Sequence, residues 1–263
     1  MPCWLAMGLF AGARPRLRFA PRGHATLAAA LAVALLTGGC AGRNSVARGY
    51  TGAPALDDVV LFPLNVVVPL PPGLETAAPT VDAAIREYLD AHDKRVRTPS
   101  FDEAQAEWLA SARALKAEVG ASQMSFEGAA AMLARRMHAQ EPFDALVLPW
   151  IALRPAKVRG RTVSWDGVRR TLKVVNPEGR SLQVLKDFQA QAAAPSLQLV
   201  VFSPDGRKLF EGVGGLDLQH ALVLEGEPTR IDAELLPRAQ VFADRTPVAE
   251  GIAVAFDPFL PRP

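Results

Sequence analysis

Few side chains in this sequence could carry covalent or metal chemistry. Cysteine occurs twice, at Cys3 and Cys40. The histidines beyond Cys40 are His92, His138 and His220, and none stands in a metal-ligand spacing such as H-E-x-x-H. There is no G-x-S-x-G elbow and no S-x-x-K pair to activate a serine. Gly212-Val213-Gly214-Gly215-Leu216-Asp217 begins like a phosphate loop, but Asp217 stands where the third glycine belongs and no P-loop lysine follows, so it reads as a bulge or loop after a strand. Asp102 and Glu103 are simplest as first-turn acids favoured by a helix dipole. No metal and no cofactor are expected. Cys40 is set apart by context, because it closes an uncharged apolar run.

That run, 25–39, is 15 residues long, short of the roughly 20 that a helix needs to cross a bilayer core. Ahead of it stand Arg14, Arg16, Arg18 and Arg22 and no acid. A basic start, short apolar middle and small-residue end describe a secretory signal; an ordinary signal that a cysteine happens to follow and an organellar transit peptide are the other readings of such a leader. Leu36-Thr37-Gly38-Gly39-Cys40 resembles the lipobox of bacterial lipoproteins, although Thr37 stands where that family usually has Leu, Val or Ile. The resemblance implies cleavage between Gly39 and Cys40 and a thioether-linked diacylglycerol on Cys40. With Ala41 in place of an aspartate, it further implies the outer membrane of a Gram-negative bacterium, facing the periplasm. The leader has no adjacent arginine pair, which favours general secretion, and Met7 would serve as a start as well as Met1.

Removing residues 1–39 takes four arginines and no acid, so 25 Lys and Arg remain against 27 Asp and Glu, a formal charge of −2. The excess basicity belongs to the leader, and nucleic-acid binding loses its electrostatic support. Processing discards Cys3 and acylates Cys40, so a domain of about 220 residues has to fold on a hydrophobic core without disulfides. Residues 40–55 read as the lipidated cysteine and a flexible tether, with a reach on the order of 20 Å. Residues 56–263 read as one periplasmic domain.

Within it, 57–68 is a nearly continuous β-branched run, a strand buried on both faces and interrupted at Pro63. Helices are expected over 80–92 behind a Thr80 cap, over 100–119 behind the capping box Ser100-Phe101-Asp102-Glu103, and behind Ser125. A short strand is expected at 94–98. The run 143–153 should pair beside the first strand. Asp166-Gly167 between alternating runs predicts a two-residue hairpin pairing Trp165 with Val168, Val163 with Arg170 and Thr162 with Thr171. Asn176-Pro177-Glu178-Gly179 reads as a turn, and 181–190 as either strand or short helix. A second hairpin should turn at Ser203-Pro204-Asp205-Gly206. Residues 231–236 and 247–256 read as helical, the latter with Thr246 as cap and Pro247 first. The fold class is mixed α/β: a mixed sheet with a buried central strand pair, two hairpins and helices packed on it. This order is similar to that of the periplasmic α/β domains of curli-secretion lipoproteins and penicillin-binding-protein activators, a likeness no residue motif carries.

One local feature is unusual. Between Arg154 and Lys173 lie seven basic residues and one acid, Asp166. Arg159, Arg161, Trp165, Arg169 and Arg170 form a candidate patch for an anionic partner such as lipid headgroups, cell-wall carboxylates or an acidic protein surface. The alternative is a solvated hairpin face whose arginines discourage edge pairing. The expected function is that of a non-catalytic envelope adaptor or assembly factor anchored in the membrane. An envelope hydrolase acting on cell-wall or lipid substrates, or a carrier of a lipid or small ligand, remains the alternative.

Overall fold

A computed structural model describes residues 44–47, 56–76, 78–176, 179, 182–227, 230–238 and 241–260. The chain divides into residues 1–39, which lie outside that set, and 40–263. In order along the second unit come β1 (Ser45–Val46), β2 (Asp58–Leu61), α1 (Ala78–Asp90), β3 (Arg95–Arg97), α2 (Phe101–Val119), α3 (Phe126–Gln140) and β4 (Ala145–Arg159). Next are β5 (Thr162–Trp165), β6 (Val168–Thr171), β7 (Val174–Val175), β8 (Gln189–Phe202), β9 (Lys208–Gly215), β10 (His220–Glu227), β11 (Arg230–Pro237) and α4 (Arg245–Phe256).

The main sheet runs β1-β9-β8-β4-β2-β3, with β5 and β6 added to β4 as a hairpin. Pairing is parallel around β2 and antiparallel from β4 through β8 and β9 to β1. β10 pairs antiparallel with β11 and parallel with β7 in a smaller sheet. The architecture is the mixed α/β fold expected, with the 143–153 run beside the first strand.

Two cores explain the continuous apolar runs. Val59, Leu61, Ala145 and Val147 pack with Val81 and Ile85 of α1 and Ile252 and Phe256 of α4. Their chain neighbours Val60, Leu146 and Leu148 point the other way, onto Ala104 of α2 and Ala130 and Leu133 of α3. A strand covered on both faces has no polar side to present, so its sequence does not alternate. A third cluster forms where β4 and β8 run beyond the helices and meet the hairpin and β10, around Val158, Val163, Trp165, Val168 and Leu222.

Local chemistry sets the helix ends. In α2, Ser100 Oγ accepts from the Glu103 amide and Glu103 Oε2 accepts from the Ser100 amide at 2.9 Å, the reciprocal box expected. The Ser100 hydroxyl, donating to Glu103 Oε2 at 2.7 Å, and then the Ser100 amide hold the Glu103 carboxyl below its ordinary range. Ser125 caps α3 through the Gly128 amide. The hairpin register is as expected, pair for pair.

Several expectations need correction. α1 begins at Ala78 rather than at a Thr80 cap; Pro79 is tolerated in the first turn, where amides have no helical acceptor. α4 is capped by Asp244, whose carboxylate accepts from the Thr246 amide at 2.9 Å, so Thr246 and Pro247 lie inside the helix. The first strand ends at Leu61, before Pro63. Residues 231–236 belong to β11, paired along β10, because a short apolar run takes its structure from its partner. Residues 212–215 are the second half of β9 and not a loop. The 181–190 segment holds a 3₁₀ turn, Leu182–Leu185, and the start of β8. Gly179 donates its amide to the Asn176 carbonyl, closing the expected turn; Pro177 and Glu178 lie outside the described residues. Within the expected tether, Ser45–Val46 forms β1.

Candidate functional site

The N-terminal attachment is built by one side chain. β1 pairs antiparallel with β9, Ser45 opposite Glu211 and Val46 opposite Phe210, and the Ala47 amide donates to the Leu209 carbonyl. Asn44 locks this edge. Its Nδ2 donates to the carbonyls of Val254 and Asp257 at 2.6 Å each, and its Oδ1 accepts from the Val213 amide at 2.8 Å. Carbonyls at a helix end lack helical donors, and here a residue from the far end of the chain supplies them. Gly39 and Cys40 lie outside the described residues, but only three residues separate Cys40 from Asn44.

The hairpin divides the candidate patch in two. Arg159, Arg161 and Arg169 are exposed, as are Lys157 and Lys173. Trp165 is 6% exposed, packed in the third core with its indole N–H donating to the Pro195 carbonyl at 3.3 Å. Arg170 has 11% of its side chain exposed, pairs with Glu250 of α4, and donates to the Pro247 carbonyl at 3.0 Å. Both therefore hold the hairpin to α4 and β8 rather than facing outward. The register carried that signal: Trp165 sits opposite Val168 and Arg170 opposite the buried Val163.

Asp166, the acid among these cations, is 7% exposed and spoken for. It accepts from Ser196 Oγ at 2.7 Å and Arg154 Nε at 3.1 Å, while its carbonyl accepts from the Gly215 amide. The turn residue thus doubles as a buried latch between hairpin and sheet. Ser196 lies 30 positions away, too far for a sequence pattern to join them.

An open groove of about 710 Å³ lies between the loop after β2 and the starts of α1 and α2, lined by Val66, Val67, Leu70 and Phe101, with Glu75 and Asp82 at its wall. Asn65, at φ 60°, shapes it: its side chain accepts from the Ile151 amide at 2.9 Å and donates to the Ile151 and Val68 carbonyls. The lining is suited to an apolar surface, and Asp82 is paired with Arg86. No local pattern in the sequence joins these walls, because they come from three segments that follow β2 and β3, two strands set side by side in parallel.

The histidines do not converge. His92 contacts the Tyr88 carbonyl one turn earlier, His138 accepts from the Phe143 amide, and His220 opens β10. Among the described residues no group of three or more His, Cys, Asp or Glu could hold a metal ion, and no helix is long and apolar enough to cross a membrane. Comparison with known proteins gives no match to any family model, curated protein or solved structure.

Proposed function

We propose that this chain is a lipid-anchored protein of the bacterial cell envelope, attached through Cys40 to the outer membrane, facing the periplasm and serving as a non-catalytic adaptor or assembly factor. The observation that carries the reading is Leu36-Thr37-Gly38-Gly39-Cys40 at the end of a charge-free run, placed just ahead of the docked residue Asn44. A cysteine at that place is an attachment point with little slack: four steps of chain reach about 14 Å at most. Such a link holds the domain against the bilayer, where it presents sheet faces to membrane-bound or wall-bound partners. The hairpin's exposed cations and the groove beside Phe101 are surfaces of the kind an adaptor uses.

Fractionation of cells combined with cross-linking tests this. The wild-type chain should sediment with outer membranes and cross-link to a discrete envelope partner; Cys40→Ser should shift most of the protein out of that fraction and reduce the cross-linked yield several-fold. Equal sedimentation of the two forms would remove the anchor, and an anchored protein with no cross-linked partner would remove the adaptor role.

A further inference from the structure

We infer that the outward face of β8, β4, β5 and β6 is a docking surface for anionic phospholipid headgroups, and that the attachment at β1 directs it towards the membrane. The inference rests on the lipid-anchor reading and adds to it a second, electrostatic contact that sets orientation.

The face is defined by strand register. One row across the four strands is Gln191, Lys157, Ser164 and Arg169; the next is Gln189, Arg159, Thr162 and Thr171. All eight are exposed, while Ala156, Val158, Val163 and Val168 between them are buried. Arg161 in the β4–β5 turn and Lys173 after β6 extend the same end of the sheet and are also exposed. Five cations therefore stand among hydroxyls and amides, with no carboxylate in either row.

These cations are also uncommitted. Among the described residues Lys157, Arg159, Arg161, Arg169 and Lys173 make no ion pair; Lys94, Arg113, Lys116, Arg135 and Lys186 also make none, but only in the patch do five such cations gather at one end of a sheet. Asp166, the acid nearest in sequence, is buried and engaged by Arg154 and Ser196. A concentration of unpaired positive charge on a domain of net charge −2 is costly in self-repulsion unless an anion meets it. Arg forks bind phosphate oxygens bidentately, and Ser, Thr and Gln supply the remaining donors. A four-stranded surface with donors spread over two rows fits an array of headgroups better than a single small anion.

Chain direction selects the membrane as the source of those phosphates. Read from Val46 back to Asn44, β1 advances along β9 from Phe210 towards Val213. The same direction runs along β8 from Val201 to Gln198 and along β4 from Val147 to Trp150, and both strands continue beyond to the basic rows. Followed towards Asn44, β1 thus points to the pole carrying the cations. The opposite pole holds the start of β4 and the turn at Ala91 that enters β3.

The test uses the purified lipid-bearing protein in phosphatidylethanolamine vesicles, with or without phosphatidylglycerol, carrying a headgroup nitroxide quencher. A fluorophore is placed on Ser164→Cys, or on Ala91→Cys at the opposite pole; an acylated Cys40 leaves no other thiol in the mature chain. Quenching at Ser164→Cys should be several-fold stronger with phosphatidylglycerol, and should fall to the neutral-vesicle level in high salt or with Arg159→Glu and Arg169→Glu added. Ala91→Cys should be quenched weakly throughout. Equal quenching at both poles, or quenching at Ser164→Cys indifferent to phosphatidylglycerol and salt, would overturn the inference and leave the anchor standing. Two dyes per chain would instead report a free Cys40 thiol and fell the anchor reading, and this inference with it.

Discussion

Asn44 joins two elements more than 150 residues away in sequence through three backbone groups, two carbonyls at the end of α4 and the Val213 amide of β9. Removing the side chain strands those groups and leaves β1 held only by its short pairing with β9. Asn44→Ala should lower stability by about 2 kcal/mol, measured by urea unfolding, and should speed protease cleavage within 40–55 in the folded state. Unchanged stability and cleavage would show that the docking is incidental. Single residues were the least legible part of the sequence. Ser100 and Glu103 could be read because their partners are three positions apart. Asn44, Asn65 and Asp166 could not, because each side chain satisfies backbone or side-chain groups brought near only by the completed sheet.

At the scale of elements, legibility followed locality. The hairpin register followed from Asp166-Gly167 and alternation, and α2 and α3 from their caps. The helix expected at 231–236 is a strand because β10 supplies the pairing, which no window of that length contains. The glycines of 212–215 looked like a loop, yet they let α4 lie directly on β9. A Cβ at Gly214 would stand 2.0 Å from the Gly251 carbonyl oxygen, and one at Gly251 would stand 2.2 Å from the Gly215 carbonyl oxygen. Helix propensity favours Ala over Gly at Gly251 by up to about 1 kcal/mol. The backbone contact predicts the opposite sign: Gly251→Ala should destabilise by about 3 kcal/mol and raise hydrogen exchange across α4. A stabilised variant would mean that helix and strand can separate without cost.

For the whole molecule, fold class was readable and spatial relations were not. Apolar runs at 57–68 and 143–153 announced a sheet covered on both sides, and the two cores meet that description. The basic stretch announced a patch, but only the folded hairpin separates Arg159, Arg161 and Arg169, which face outward, from Trp165 and Arg170, which are spent on packing and α4. The leader and Cys40 remain a matter of sequence, and the proposed anchor together with the docked Asn44 would make attachment and orientation one device. Intact mass of the protein purified from membranes tests the anchor most directly. An anchored protein should give a chain beginning at Cys40 that is heavier than its polypeptide by a diacylglyceryl group and an amide-linked acyl chain and resists alkylation at Cys40. A chain beginning elsewhere, or a Cys40 that alkylates as a free thiol, would contradict it.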